Sequence, residues 1–120
     1  MKEEVKRWIK QAEEDYDNAK FNFNGKKYRV AAFLCQQSAE KSLKALLLKQ
    51  KGEIRKIHDL VELGKNAGIE ESLLGDLKQL TLAYIYSRYP DVEESFNLNG
   101  KLPYFLNVSK EVLKWVKQKL

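Results

Sequence analysis

Apolar residues recur every three to four positions through most of the chain, and the recurrence is broken near Asn24-Gly25, Gly52, Gly68 and Pro90. Val5, Trp8, Ile9, Ala12, Tyr16, Ala19 and Phe23 share one side of a helix predicted over 3–23. Asn24-Gly25 then supplies a stop and a turn. A second helix is predicted over 27–50. Val30, Phe33 and Leu34 lie on one side of it; Ala32, Cys35, Ala39, Ser42, Leu43 and Leu46 lie on another. So wide an apolar band predicts a central helix with neighbours on two sides. Its small residues Ala31, Ala32, Ala39, Ser42 and Ala45 permit close helix approach, and Gly52 ends it.

Asp59-Leu60-Val61-Glu62 has the spacing of a capping box, with Asp in place of Ser or Thr. A short helix over 59–66 follows, closed by Gly68. Glu70 and Glu71 place acids at the positive end of the next helix. That helix carries Leu73, Leu74, Leu77, Leu80, Thr81, Tyr84 and Ile85 and must stop before Pro90. Gly75 inside it weakens the helix or marks a local boundary. Residues 90–101 read as a loop. Pro103 fits the first turn of a last helix, whose apolar positions are Tyr104, Phe105, Val108, Val112, Leu113, Trp115, Val116 and Leu120. No strand-length alternation, repeat or low-complexity tract interrupts the pattern. The prediction is an all-α fold, an up-down antiparallel bundle of four long helices plus a short one, forming a single domain over 1–120.

Composition narrows the function classes. At 120 residues the chain is long enough for one core without staples. A single cysteine, Cys35, excludes an intrachain disulfide and a cysteine metal cluster; in an apolar helix it reads as a buried, inert thiol. No run approaches the roughly 18 apolar residues that span a bilayer. The start, Met1-Lys2-Glu3-Glu4, lacks the apolar core of a signal peptide, so a cytoplasmic protein without membrane contact is expected. The net charge of +5 is uneven: residues 26–56 and the last twenty are basic, whereas 57–100 are acidic. Such asymmetry can draw phosphates to one face, and it serves complementary helix faces or solubility equally well.

Two polar groups stand out against this apolar pattern. Gln37, Glu40, Lys41 and Lys44 are separated by three and four residues and share a helix face. On a central helix such groups must find partners or line a cleft. Arg88 falls at the C-terminal end of the fourth helix, where the negative dipole end favours a cation. Tyr86 and Tyr89 flank it, and aromatics beside Arg can stack on a base or on the guanidinium. One specific expectation is that Glu40 pairs with Arg88 across the bundle and aims the guanidinium at a groove. His58, the only histidine, stands beside Asp59 at a helix start. It reads first as structural, with acid/base work the alternative. No His-Cys-carboxylate set has ligand spacing and no Gly-rich phosphate loop is present, so no metal and no cofactor are expected. Ser38 and Ser42 lack an evident base, and no catalytic residue is assigned.

Gln37-Ser38-Ala39-Glu40-Lys41-Ser42-Leu43-Lys44-Ala45, then His58-Asp59-Leu60, then Arg88-Tyr89-Pro90-Asp91, with Trp8, Ala12, Asp15 and Ala19 ahead of them, resemble the HEPN family of small helical domains. The resemblance implies a four- or five-helix bundle that usually dimerises, with a cleft near the Arg segment formed by two copies. Such domains occur with nucleotidyltransferase partners, in toxin-antitoxin pairs and in RNA-cleaving machines. Catalytic members carry an Arg followed, after four to six intervening residues, by a His. Here Arg88 is present, but the His positions hold Glu93, Glu94 and Ser95. The resemblance therefore implies a homodimeric module, non-catalytic or only weakly active as a ribonuclease, binding a nucleotide, RNA phosphate or a nucleotidyltransferase. The residues implied for nucleotide or RNA binding are Arg88, Lys41, Lys44, Gln37, Glu40, Tyr89 and Asp91. Two further readings stay open: a metal-independent ribonuclease or toxin using Arg88 with Tyr89, Asp91 or Glu93, and a structural adaptor whose polar stripe sets helix register.

Overall fold

The computed structural model describes residues 2–54, 56–89 and 97–120. Among them the fold is all-helical, with five helices: α1 (Glu3–Asn24), α2 (Tyr28–Lys51), α3 (Leu60–Ala67), α4 (Glu71–Tyr86) and α5 (Leu98–Lys119). The expected bundle of four long helices and a short one is present. The fourth helix ends at Tyr86, ahead of Pro90 as expected.

Helix α2 is central because its sequence leaves almost no polar side. From Ala31 to Leu48 only Phe33, Leu34, Gln37 and Lys41 escape burial. It packs against each of the other four helices. Ala31, Ala32, Ala39, Ser42 and Ala45 are all fully covered, as close helix approach requires. The serines that come inside with them are satisfied. Ser38 Oγ donates to the Ala12 carbonyl of α1 at 2.7 Å, and Ser42 Oγ donates to the Ser38 carbonyl at 2.7 Å. Ser109 Oγ of α5 donates to the Cys35 carbonyl at 3.0 Å. Each bond satisfies a buried hydroxyl that would otherwise be costly. Burial pushes the Cys35 thiol up to about 12, so it stays protonated and inert.

The helix ends follow local chemistry. Gly52 and Gly68 adopt left-handed conformations at φ 75° and 79°, ending α2 and α3. Asp59 caps α3, its carboxylate accepting from the Val61 amide at 3.0 Å. Gly75 lies inside α4 and marks no boundary. Gly64 is required by packing: a Cβ there would stand 2.7 Å from Leu77 Cδ1 and 2.9 Å from Ile69 Cγ2.

The start of α5 differs from the sequence reading, and the end of α4 falls two residues ahead of Arg88. Helix α4 ends at Tyr86, so Arg88 stands in the turn beyond it. Ser87 Oγ donates to the Tyr84 carbonyl at 2.9 Å, satisfying one of the carbonyls left open at that end. Helix α5 begins at Leu98 rather than near Pro103. Leu98 and Leu102 are one turn apart and both buried, extending the apolar stripe upstream of Phe105. Pro103, inside the helix, forfeits one backbone bond, but it is exposed at the surface. Trp115 is buried in the core.

Candidate functional site

The α2 polar stripe divides into two groups that face different neighbours. Gln36, Glu40 and Lys44 turn inward, with exposures of 0%, 4% and 6%. Lys44 Nζ donates to Glu40 Oε2 at 3.1 Å, and Gln36 Nε2 donates to Glu40 Oε1 at 3.0 Å. Gln36 Oε1 in turn accepts from Gln37 Nε2 at 2.7 Å. Burial alone would push the Glu40 carboxyl up. Hydrogen bonds from Gln36, His58 and Lys44, with the Lys44 charge, outweigh it and hold the carboxyl below its ordinary value. Lys41 points the other way and binds Asp15 of α1 at 2.7 Å, both side chains being mostly buried.

The segment joining α2 to α3 closes over the first group. His58 Nδ1 lies 3.0 Å from Glu40 Oε1, although its ring is 65% exposed. A carboxylate held in its charged form only accepts, so Nδ1 donates in this contact, and in the neutral form of the ring Nε2 is then the acceptor. Just beyond, the Leu60 amide donates to Thr81 Oγ1 of α4 at 3.3 Å, tying this connection to the fourth helix.

The expected Glu40–Arg88 pair does not form. Gln36, His58 and Lys44 occupy both Glu40 oxygens, while Arg88 lies at the surface against α4. Its Nη1 donates to Tyr84 Oη at 3.2 Å, and its guanidinium carbon stands 5.3 Å from the centre of the Tyr84 ring. Tyr84 stacks on Phe33 of α2, with ring centres 5.8 Å apart and planes 28° apart. Val30, Ile85 and Tyr89 are exposed as well. Arg88 over the Tyr84–Phe33 stack is a guanidinium on an aromatic platform, an arrangement able to take a phosphate and a base face together.

Of the residues the sequence nominated, Arg88 and Tyr89 are exposed at the end of α4, while Gln37, Glu40, Lys41 and Lys44 form the α2 stripe. Lys41 and Lys44 each already hold a carboxylate, so either must exchange that partner to reach a ligand. Asp91, like Glu93, Glu94 and Ser95, lies outside the described residues. The reading missed Gln36, Tyr84 and Phe33, and it left the partner of His58 unnamed. The four-residue spacings Tyr84–Arg88 and Gln36–Glu40 could have signalled their contacts from sequence. Among the described residues, no group of three His, Cys, Asp or Glu side chains is placed to hold a metal ion, and no helix is long and apolar enough to cross a membrane.

A family model for the HEPN domain matches residues 5–119. The fold is similar to the crystal structure of TT1696 from Thermus thermophilus, with a TM-score of 0.86 and 26% sequence identity, covering 97% of this chain and 98% of that one. It is similar also to the crystal structure of ST0689, an archaeal HEPN homologue, with a TM-score of 0.80 and 35% identity, covering 99% of this chain and 98% of that one. A search of curated proteins finds no match.

Proposed function

The chain belongs to the HEPN domain family, and from that premise we propose that it is a binding module for a phosphate-bearing ligand, a nucleotide or RNA, which it holds without cleaving. The observation that carries this reading is the exposed Arg88 guanidinium resting on the Tyr84–Phe33 stack. Arg offers donors in a planar fork that matches phosphate geometry. The aromatic pair beside it offers a stacking face, which every base can use. The absence of cleavage follows from Glu93, Glu94 and Ser95 at the positions where catalytic relatives carry their His.

Titration with ATP and labelled single-stranded RNA tests this reading. Wild type binds with an affinity that falls as salt rises, because phosphate contacts release counterions. Arg88→Ala loses that binding, and neither protein shortens the RNA. Affinity that is indifferent to both salt and Arg88 rejects the reading.

A second reading is favoured by the large apolar residues Val30, Phe33, Ile85 and Tyr89, all exposed on α2, α4 and the turn after α4. They suit a protein partner, either a second copy of the chain or a nucleotidyltransferase. Light scattering of wild type and Ile85→Lys checks it: a dimer reduced to monomer by the substitution supports self-association. An unchanged monomer, with no complex formed on adding a nucleotidyltransferase, removes it.

A further inference from the structure

The ligand surface does not end at Arg88. Along the seam between α2 and α4, Arg88 is followed by Tyr84 against Phe33, then by Thr81 beneath the Leu60 amide, with His58 just ahead of it. Thr81 and Arg88 are seven residues apart on α4 and its terminal turn, or about 10 Å along the axis. Gln36, one turn after Phe33 on α2, reaches the His58 carbonyl at 3.4 Å, which fixes the connection at this end of the seam. Gln36 and Thr81, each one turn from the Phe33–Tyr84 pair, both bond the connection that carries His58, so this connection lies about one turn along α2 and α4 from the aromatic platform.

His58 is more than Glu40 requires. The Glu40 charge is already balanced by Lys44, and Oε1 already accepts from Gln36. What the bond to Glu40 gives the neutral form of His58 is a fixed tautomer: Nδ1 donates inward, and Nε2 is the acceptor of a largely exposed ring. An exposed side chain held at one end by a buried carboxylate is preorganised for a donor from outside. In a polynucleotide, the sugar hydroxyl is the donor that DNA lacks.

We infer that His58 is a second contact of the ligand surface, its Nε2 accepting a ribose 2′-hydroxyl. The strip from Arg88 to His58 then fits a single RNA strand rather than a mononucleotide or DNA. This rests on the Arg88 reading above, and the two can fail separately. Arg88 grips a phosphate, Tyr84 and Phe33 support a base, and His58 reads the sugar of a neighbouring nucleotide. Glu40 acts as a positioning residue.

The experiment compares AMP with an RNA and a DNA tetranucleotide of one sequence, bound to wild type, His58→Asn and Arg88→Ala. Asn keeps a donor for Glu40, and its shorter amide places no acceptor at the outer Nε2 position, so a merely structural role survives the change. Wild type should bind the RNA about tenfold more tightly than the DNA, the value of one added hydrogen bond. His58→Asn should bring RNA down to the DNA level while AMP affinity and the thermal midpoint hold. Equal RNA and DNA affinity in wild type overturns the inference without needing any variant. So does a preference for RNA that survives in His58→Asn. Unchanged AMP and RNA binding in Arg88→Ala instead overturns the underlying ligand reading.

Discussion

The buried end of the α2 stripe and the exposed end of α4 both carry polar and charged residues, but the two are held in opposite ways. Around Glu40 every oxygen has a donor and the countercharge is 3.1 Å away. Around Arg88 the support is one hydroxyl and one ring face at the surface. A saturated buried network specifies structure, and its loss is felt by the fold. A cation propped on an aromatic ring in contact with water is felt by whatever binds there. Charge alone therefore does not mark a ligand site; what matters is how far the protein has already satisfied it.

The comparison is broken most directly by removing Lys44. Lys44→Ala leaves Glu40 charged and buried, which should cost about 3–5 kcal/mol in denaturant unfolding. The paired change Glu40→Gln with Lys44→Met should recover most of that loss, since uncharged groups of similar volume replace buried pairs well. An unstable double variant and a stable single one would reverse this account of the network. Gly64→Ala gives a purely steric reference. The added methyl meets Leu77 and Ile69, and about 1–3 kcal/mol should be lost by the same measurement.

Acid sharpens the contrast by a smaller amount. The Glu40 carboxyl is held below its ordinary value of 4.5, so the folded state gives up this proton more readily than the unfolded chain. Its contribution is complete above the ordinary value and is lost as pH falls through the lowered one. The denaturation midpoint of wild type should therefore fall more steeply below about pH 4.5 than that of Glu40→Gln. Parallel curves would show that the network adds no such linkage. At the other end of the comparison, Arg88→Ala should change stability by no more than about 0.5 kcal/mol, as expected for a surface residue.

How much of this was legible in the sequence follows from the range of each interaction. Helical faces repeat locally, so α1 to α4 could be read from Val5, Ile9 and Ala12 or from Leu73, Leu77 and Leu80. The start of α5 was hidden because Asn97, Asn99, Gly100 and Pro103 resemble a loop, while only Leu98 and Leu102 carry the stripe. Spacing showed that Glu40 and Lys44 share a face. It could not distinguish Gln36 from Gln37 as the amide beneath them, since positions three and four residues before Glu40 both neighbour it on a helix. Pairings across 18 residues, His58 with Glu40, or 26, Lys41 with Asp15, leave no periodic trace. Arg88 was legible through its motif; its bond to Tyr84 rather than Glu40 depends on where α4 ends.

We propose that Arg88 contacts a ligand directly and that the buried Glu40–Lys44 pair chiefly serves the fold. One measurement tests it most directly: labelled single-stranded RNA titrated into wild type and Arg88→Ala at low and high salt, with thermal midpoints recorded on the same samples. The account expects binding in wild type that weakens with salt, an affinity about ten- to a hundredfold lower in Arg88→Ala, and midpoints that coincide. Equal binding by the two proteins, or a midpoint that falls together with the affinity, would contradict it.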